Sequence, residues 1–208
     1  KKIEMQKKQS IIDLACIFCY GNFQDENWIR KINFPIELIT LKTLLVDEPL
    51  SEDELKTNFI REDKVSNAIS LSVKSMYEEN PYPRWDFIPL HRNSKDMNSY
   101  LKKIGLKFKP LSIDKKKPLE ILVAGCGTGR NSISIAAEIE NTNITAIDLS
   151  KKSLAYALRK TKEIGLKNIN YMHLDILNIG SLGKKFDVID CSGVLHHMEN
   201  PLLGWRSL

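Results

Sequence analysis

The sequence predicts an α/β fold: a parallel sheet preceded by a mainly helical stretch. Three observations predict it. From residue 119 onward, short apolar runs alternate with longer stretches of helical periodicity, the pattern that builds a parallel sheet covered by helices. The first apolar run leads directly into a glycine-rich loop, Gly125-Cys126-Gly127-Thr128-Gly129. Before residue 118 there is no such alternation, and the helical segments are broken by Pro and Gly. Two regions follow: residues 1–117, a helical N-terminal extension, and residues 118–208, a sheet domain.

In the extension, the apolar run from Ile11 to Tyr20 reads as a buried helix. Its Asp13 and its lack of a small-residue cleavage site argue against a signal peptide. Ser51-Glu52-Asp53-Glu54 has the pattern of a capping box and predicts a helix that opens there and runs toward Ile60. A second helix is expected over residues 66–79, with Val65, Ile69, Val73 and Met76 on one face. Asn80-Pro81-Tyr82-Pro83 ends it, because Pro cannot continue a helix and restricts its predecessor. A third helix is expected over residues 96–104, stopped by Gly105, and a Lys/Pro-rich connector over 107–118 leads to the sheet.

In the sheet domain, strands are expected at 119–124, 143–147, 169–173 and 186–191. Helices are expected at 131–140, from a Ser150 N-cap to a Gly165 stop, and from Pro201, whose fixed φ suits a first helical position. The fourth strand should leave an unpaired edge, and the sheet reads as truncated at the C-terminus.

Composition narrows the function. At 208 residues, 42% hydrophobic and 27% charged, the chain can bury a core. No run approaches the about 18 consecutive apolar residues of a membrane span, and a cytoplasmic protein is expected. The net charge of +5 is carried mostly by scattered Lys rather than clustered Arg, which argues against a nucleic-acid partner. Cys16 and Cys19 form one C-x-x-C with no second pair to complete a zinc set, so they read as buried free thiols, and no metal is expected.

The chemistry gathers at one sheet edge. The glycine loop follows a strand and opens a helix, which combines close backbone approach with free N–H groups and a positive dipole end. Asp148 ends the second strand, near the roughly 20-residue spacing at which dinucleotide folds place a ribose carboxylate. It can accept from both ribose hydroxyls, or simply precede the Ser150 cap. Asp175 follows the third strand and can accept from an adenine amino group, or be an ordinary loop acid. Cys191-Ser192-Gly193-Val194-Leu195-His196-His197 follows the fourth strand on the same edge. His196 and His197 are either general-base candidates or a packed or solvent-facing pair.

As a set, "VAGCGTG", "AIDLS", "LDIL" and "FDVIDCSGVLHHMENP" resemble the class I S-adenosylmethionine-dependent methyltransferases, from about residue 119 to the end. The resemblance implies a Rossmann-like sheet and S-adenosyl-L-methionine as cofactor. It implies cofactor contacts at Ala124, Gly125, Cys126, Gly127, Gly129, Asp148, Leu149, Asp175, Ile176, Cys191, Ser192 and Gly193. The implied reaction is methyl transfer to an unidentified acceptor. The methyl is already activated by its sulfur, so alignment and electrostatics can carry the catalysis. Weak catalytic candidates are His196, His197 and Tyr82.

Upstream, "MYEENPYPRW" resembles a motif of a bacterial methyltransferase group whose members often carry tetratricopeptide repeats, and "ACIFCYGNF" is similar to that group's N-terminal region. No repeat unit is visible in this chain. Tyr77, Tyr82, Arg84 and Trp85 are expected to form a lid over the cofactor, with Arg84 orienting a carboxylate. The other reading is a packed connector, with Trp85 in the core and Arg84 paired to a surface acid. Two departures stand out. Val123 occupies the position, two before the first loop Gly, where many class I enzymes carry an acid. The last strands of the family fold, with their reversed hairpin, would lie beyond Leu208.

Two rivals remain. A nicotinamide-dependent oxidoreductase needs G-x-G-x-x-G, but the third glycine falls on Arg130 or Ser132, depending on the frame. A non-catalytic methyltransferase-like binding module is countered by the intact loop and Asp148.

Overall fold

The computed structural model describes residues 10–20, 29, 32–59, 68–90, 95–114 and 116–208. The chain divides into two compact units, Lys1–Glu54 and Leu55–Leu208. In the first, α1 (Ile11–Tyr20) carries Leu14 and Phe18 one turn apart, so they share a buried stripe. They join Ile29, Leu38, Val46 and Leu50 in a small core, and Phe18 stacks on Phe34 with centroids 5.4 Å apart. Cys16 and Cys19 fall outside that stripe and are exposed. This corrects the expectation of buried thiols: α1 is amphipathic, and only its Leu14–Phe18 side is covered.

Residues 36–56 run as one helical path: a 3-10 turn, Ile36–Leu38, then α2 (Ile39–Lys42), a π-turn, Thr43–Asp47, and α3 (Glu48–Lys56). Ser51 therefore lies inside α3 and opens no helix, which corrects the capping-box reading. The turns upstream already continue the helix into it. Pro49 lacks the N–H that would bond the Leu45 carbonyl, and the widened turn ends just before it.

In the second unit, α4 (Ala68–Glu79) ends ahead of Pro81, and Val65 and Ser66 lie outside the described residues. The next helix, α5 (Met97–Lys103), is capped by Asp96, whose Oδ1 accepts from Ser99 N at 3.1 Å. Gly105 follows it with φ 79°. The sheet comprises β1 (Leu119–Ala124), β2 (Thr142–Asp148), β3 (Ile169–His173) and β4 (Val188–Asp190). Between and after the strands come α6 (Arg130–Glu138), α7 (Lys151–Ile164) and α8 (Pro201–Ser207). Ser150 caps α7 by accepting from Ser153 N, and Gly165 ends it at φ 81°. Asn200 caps α8, with Pro201 at its start.

All pairings are parallel, and the strand order is β3-β2-β1-β4. The central strand is buried on both faces. Ile121 packs with Ile144 and Leu154, while Leu122 packs with Ile147 and Leu174. That explains why β1 reads as a continuous apolar run rather than an alternating one. From β1 the chain moves outward through β2 and β3, then returns to place β4 on the other side of β1. The winding direction reverses between β1 and β4, and such sheets take ligands in the crevice beyond their carboxyl ends at that reversal. Among the described residues β4 pairs with β1 alone, and Leu202 and Trp205 of α8 are exposed.

Gly129 fixes the distance between α6 and its neighbours. A Cβ there would lie 2.6 Å from Ala157 Cβ and 2.9 Å from Tyr171 Oη, at φ +81°. Gly165 has the same φ but nothing within 4 Å of such a Cβ. Gly165→Ala should thus cost only the left-handed backbone penalty, about 1–2 kcal/mol. Gly129→Ala should cost a further 1–3 kcal/mol or so for overpacking. Denaturant melts of the two variants test this; equal losses would contradict the packing role.

Candidate functional site

The loop after β1 is held from three sides. Gly125 N and Cys126 N both donate to Ile147 O, at 2.8 and 2.9 Å. Gly127 N donates to Asp148 Oδ2 at 2.8 Å. From the extension, Pro83 O accepts from Thr128 Oγ1 at 2.7 Å, and Trp85 Nε1 donates to Thr128 O at 3.1 Å. A Cβ on Gly125 would stand 2.3 Å from Val194 Cγ2. The close approach at Gly125 is therefore made by the segment after β4.

Asp148 is a half-buried acid of the site. Its Oδ1 accepts from Ser150 N at 2.9 Å. Burial pushes its carboxyl above the usual value, opposed by the N–H bonds from Ser150 and Gly127, which favour the anion. Each carboxylate oxygen can accept a further donor. Asp175 is buried, and its Oδ1 accepts from Leu177 N, capping the turn Ile176–Leu182. Burial holds the Cys126 thiol well above its ordinary value, so it adds no charge.

A cavity of about 460 Å³ opens at this edge, within the roughly 300–1,000 Å³ of small-molecule sites. Gly125, Cys126 and Gly127 line it from the first loop. Asp148, Leu149, Asp175 and Ile176 line it from the ends of β2 and β3. Ser192, Gly193 and His197 line it from beyond β4, and Tyr77 and Tyr82 from the extension. Other expected residues stand back. Ala124 is in the core beside Leu122, and Cys191 packs on that same cluster. Gly129 faces Ala157. Trp85 is buried beneath the loop with its ring edge-on to Tyr156 at 5.7 Å, and Arg84 Cζ lies 4.7 Å over the Tyr156 ring. His196 is exposed, its ring tilted 42° against that of His197 with centroids 4.0 Å apart.

Other lining residues escaped the sequence reading: Lys74, Arg130, Asn131, Ser153 and Asp190. Asp190 had a signal, since it ends β4 as Asp148 ends β2. It accepts from Asn131 Nδ2 and, at 2.6 Å, from Ser192 Oγ. Lys74 sits one turn before Tyr77 on α4, but only the packing of α4 shows which face meets the cavity. The described residues hold no cluster of three metal-ligating side chains, and no helix among them is long and apolar enough to cross a membrane.

Trp85→Phe keeps a ring but removes the donor to Thr128. It should cost about 1–2 kcal/mol and accelerate amide exchange at Gly127 and Thr128. Exchange as slow as in wild type would contradict the bracing role.

Residues 121–204 match the family described as methyltransferase domain. An uncharacterised protein of Synechococcus sp. is 39% identical over 89 residues, 42% of this chain and 21% of that protein. Ubiquinone biosynthesis O-methyltransferase of Rickettsia bellii is 32% identical over 116 residues, 55% of this chain and 45% of that enzyme. The chain thus spans less than half the length of these curated relatives. The crystal structure of magnesium protoporphyrin IX methyltransferase from Synechocystis PCC 6803 is similar over 70% of this chain and 72% of that one, at 20% identity and a TM-score of 0.49. Residues 121–204, which match that family, fold as a Rossmann-like parallel sheet of order β3-β2-β1-β4 with the glycine loop at its switch point.

Proposed function

We propose that this protein transfers the methyl group of S-adenosylmethionine to an acceptor held between α4 and the carboxyl edge of the sheet. The observation that carries this is convergence: the glycine loop, Asp148 and Asp175 open on one cavity where the strand order reverses. Asp148 accepts from the ribose hydroxyls. Asp175 stands at the adenine, beside Ile176 and Leu149. The loop and the start of α6 face the methionyl carboxylate, where N–H groups and the positive helix end favour an anion. Bound S-adenosylmethionine supplies a methyl on a cationic sulfur, already activated for transfer.

The work left to the chain is alignment and exclusion of water. Tyr77 and Tyr82 wall the cavity from the extension, in keeping with a cover over the methionyl end. His197 is the better placed of the two histidines to take a proton from an acceptor, since it borders the cavity and meets Tyr77 edge-on at 6.4 Å. On this reading residues 118–208 carry the cofactor, and residues 70–83 of the 1–117 extension contribute the wall. The bonds from Pro83 and Trp85 to Thr128 support placing the chain with the "NPYPRW" methyltransferases. A nicotinamide reading has less support, because Arg130 begins α6 where the dinucleotide pattern needs its last Gly.

Two measurements on the chain test the ribose assignment. Asp148→Ala should weaken cofactor binding by about 2–4 kcal/mol in calorimetry, with melting followed in parallel; affinity within about threefold of wild type would rule the role out. The pH dependence has a definite sign. Ribose hydroxyls donate, so binding needs the anion, and a raised folded value means the anion is lost earlier on acidification. Affinity should begin to fall at a pH clearly above the roughly 3.9 of an ordinary aspartate. An affinity constant down to that pH would contradict the assignment.

A further inference from the structure

We infer that the methyl acceptor is an anion, gripped at its carboxylate or phosphate by Lys74. The inference rests on the cavity being the S-adenosylmethionine site. Two cations line that cavity on different elements, Lys74 on α4 and Arg130 at the start of α6. Neither has a hydrogen bond or ion pair to another described residue. The three lining aspartates already accept hydrogen bonds within the protein: Asp148 from Gly127 and Ser150, Asp175 from Leu177, and Asp190 from Asn131 and Ser192.

The cofactor brings a single carboxylate. Arg130 directly follows Gly129 and so stands on the methionyl side. Lys74 is left over. It is half-buried on the face of α4 that also presents Ser70, Val73 and Tyr77 to the cavity. An ammonium there without a counter-charge loses hydration for no return, and an anionic ligand would restore it.

A second polar group points the same way. Ser153 borders the cavity at 1% exposure, and its Oγ is buried without a hydrogen-bond partner. It sits in the first turn of α7, where the helix end favours negative charge, and α7 packs on α4. Lys74 and Ser153 thus stand on neighbouring helices, with a charge and a hydroxyl to offer one oxyanion.

The test uses the whole chain with methyl-labelled S-adenosylmethionine and a small-molecule cell extract. Anion exchange at neutral pH splits the extract into retained and unretained fractions before the reaction. The retained fraction should yield labelled product. Lys74→Ala should cut that labelling about tenfold or more, and Lys74→Arg should restore most of it. Cofactor affinity should stay within about twofold in both variants. The inference is overturned by label from the unretained fraction only, by no label from either, by full labelling with Lys74→Ala, or by loss of cofactor affinity in that variant. Wild-type protein that does not bind S-adenosylmethionine at all would overturn the functional reading itself, and the anion inference with it. Methyl esters among the products would mark a carboxylate acceptor that is itself methylated, while products that stay on the anion exchanger would mark a carboxylate or phosphate used only as a handle; both outcomes support the role of Lys74.

Discussion

The site depends on how the backbone of residues 125–129 is held. One carbonyl, Ile147 O, accepts from two successive amides of the loop, and the next residue's carboxylate accepts from a third. These bonds tie the end of β1 to the end of β2, so the loop cannot move without disturbing the sheet. They also let a half-buried carboxylate sit at the strand end. Desolvation disfavours the Asp148 anion, while N–H donors from Gly127 and Ser150 partly offset that cost. The acid that organises the loop is the same acid that faces the ligand space, which gives it a fixed orientation without a ligand.

The part of the extension from Leu55 onward is built into this arrangement. Ser150 Oγ lies 3.0 Å from both Tyr77 O and Glu78 Oε2, which joins the end of α4 to the start of α7. Tyr156 Oη donates to Trp85 O from within α7, and Trp85 in turn reaches Thr128. Phe59 and Met97 enter the same core cluster as Ile135 and Ile139 on the flank of the sheet. The compact unit accordingly begins at Leu55, although the strand pattern starts only after residue 117. Helix α4 and the segment after it are thereby coupled to the glycine loop and to α7 through side-chain hydrogen bonds.

Legibility followed locality. Strand β3 was readable to its ends, because β-branched and aromatic residues there are bounded by Gly165 on one side and Asp175 on the other. The caps Ser150 and Gly165 were readable because capping is a property of a few adjacent residues. Ser51 misled for the same reason: its local pattern was right for a cap, but the chain upstream was already helical. The exposure of Cys16 and Cys19 depends on which side of α1 is covered, and the apolar run does not state that. At the site, the acids expected after β2 and β3 line the cavity, because parallel topology sends every carboxyl end to one edge, although Asp190 at the end of β4 was passed over. Lys74, Arg130 and Ser153 were missed because only tertiary packing brings their helix faces to the cavity.

The most direct test of the account is a crystal structure of the chain with S-adenosylhomocysteine. The account predicts the ligand in the cavity bordered by Gly127 and Asp175, with both ribose hydroxyls within about 2.6–3.2 Å of the Asp148 carboxylate. A ligand bound elsewhere, or one in the cavity whose ribose leaves Asp148 uncontacted, would contradict it.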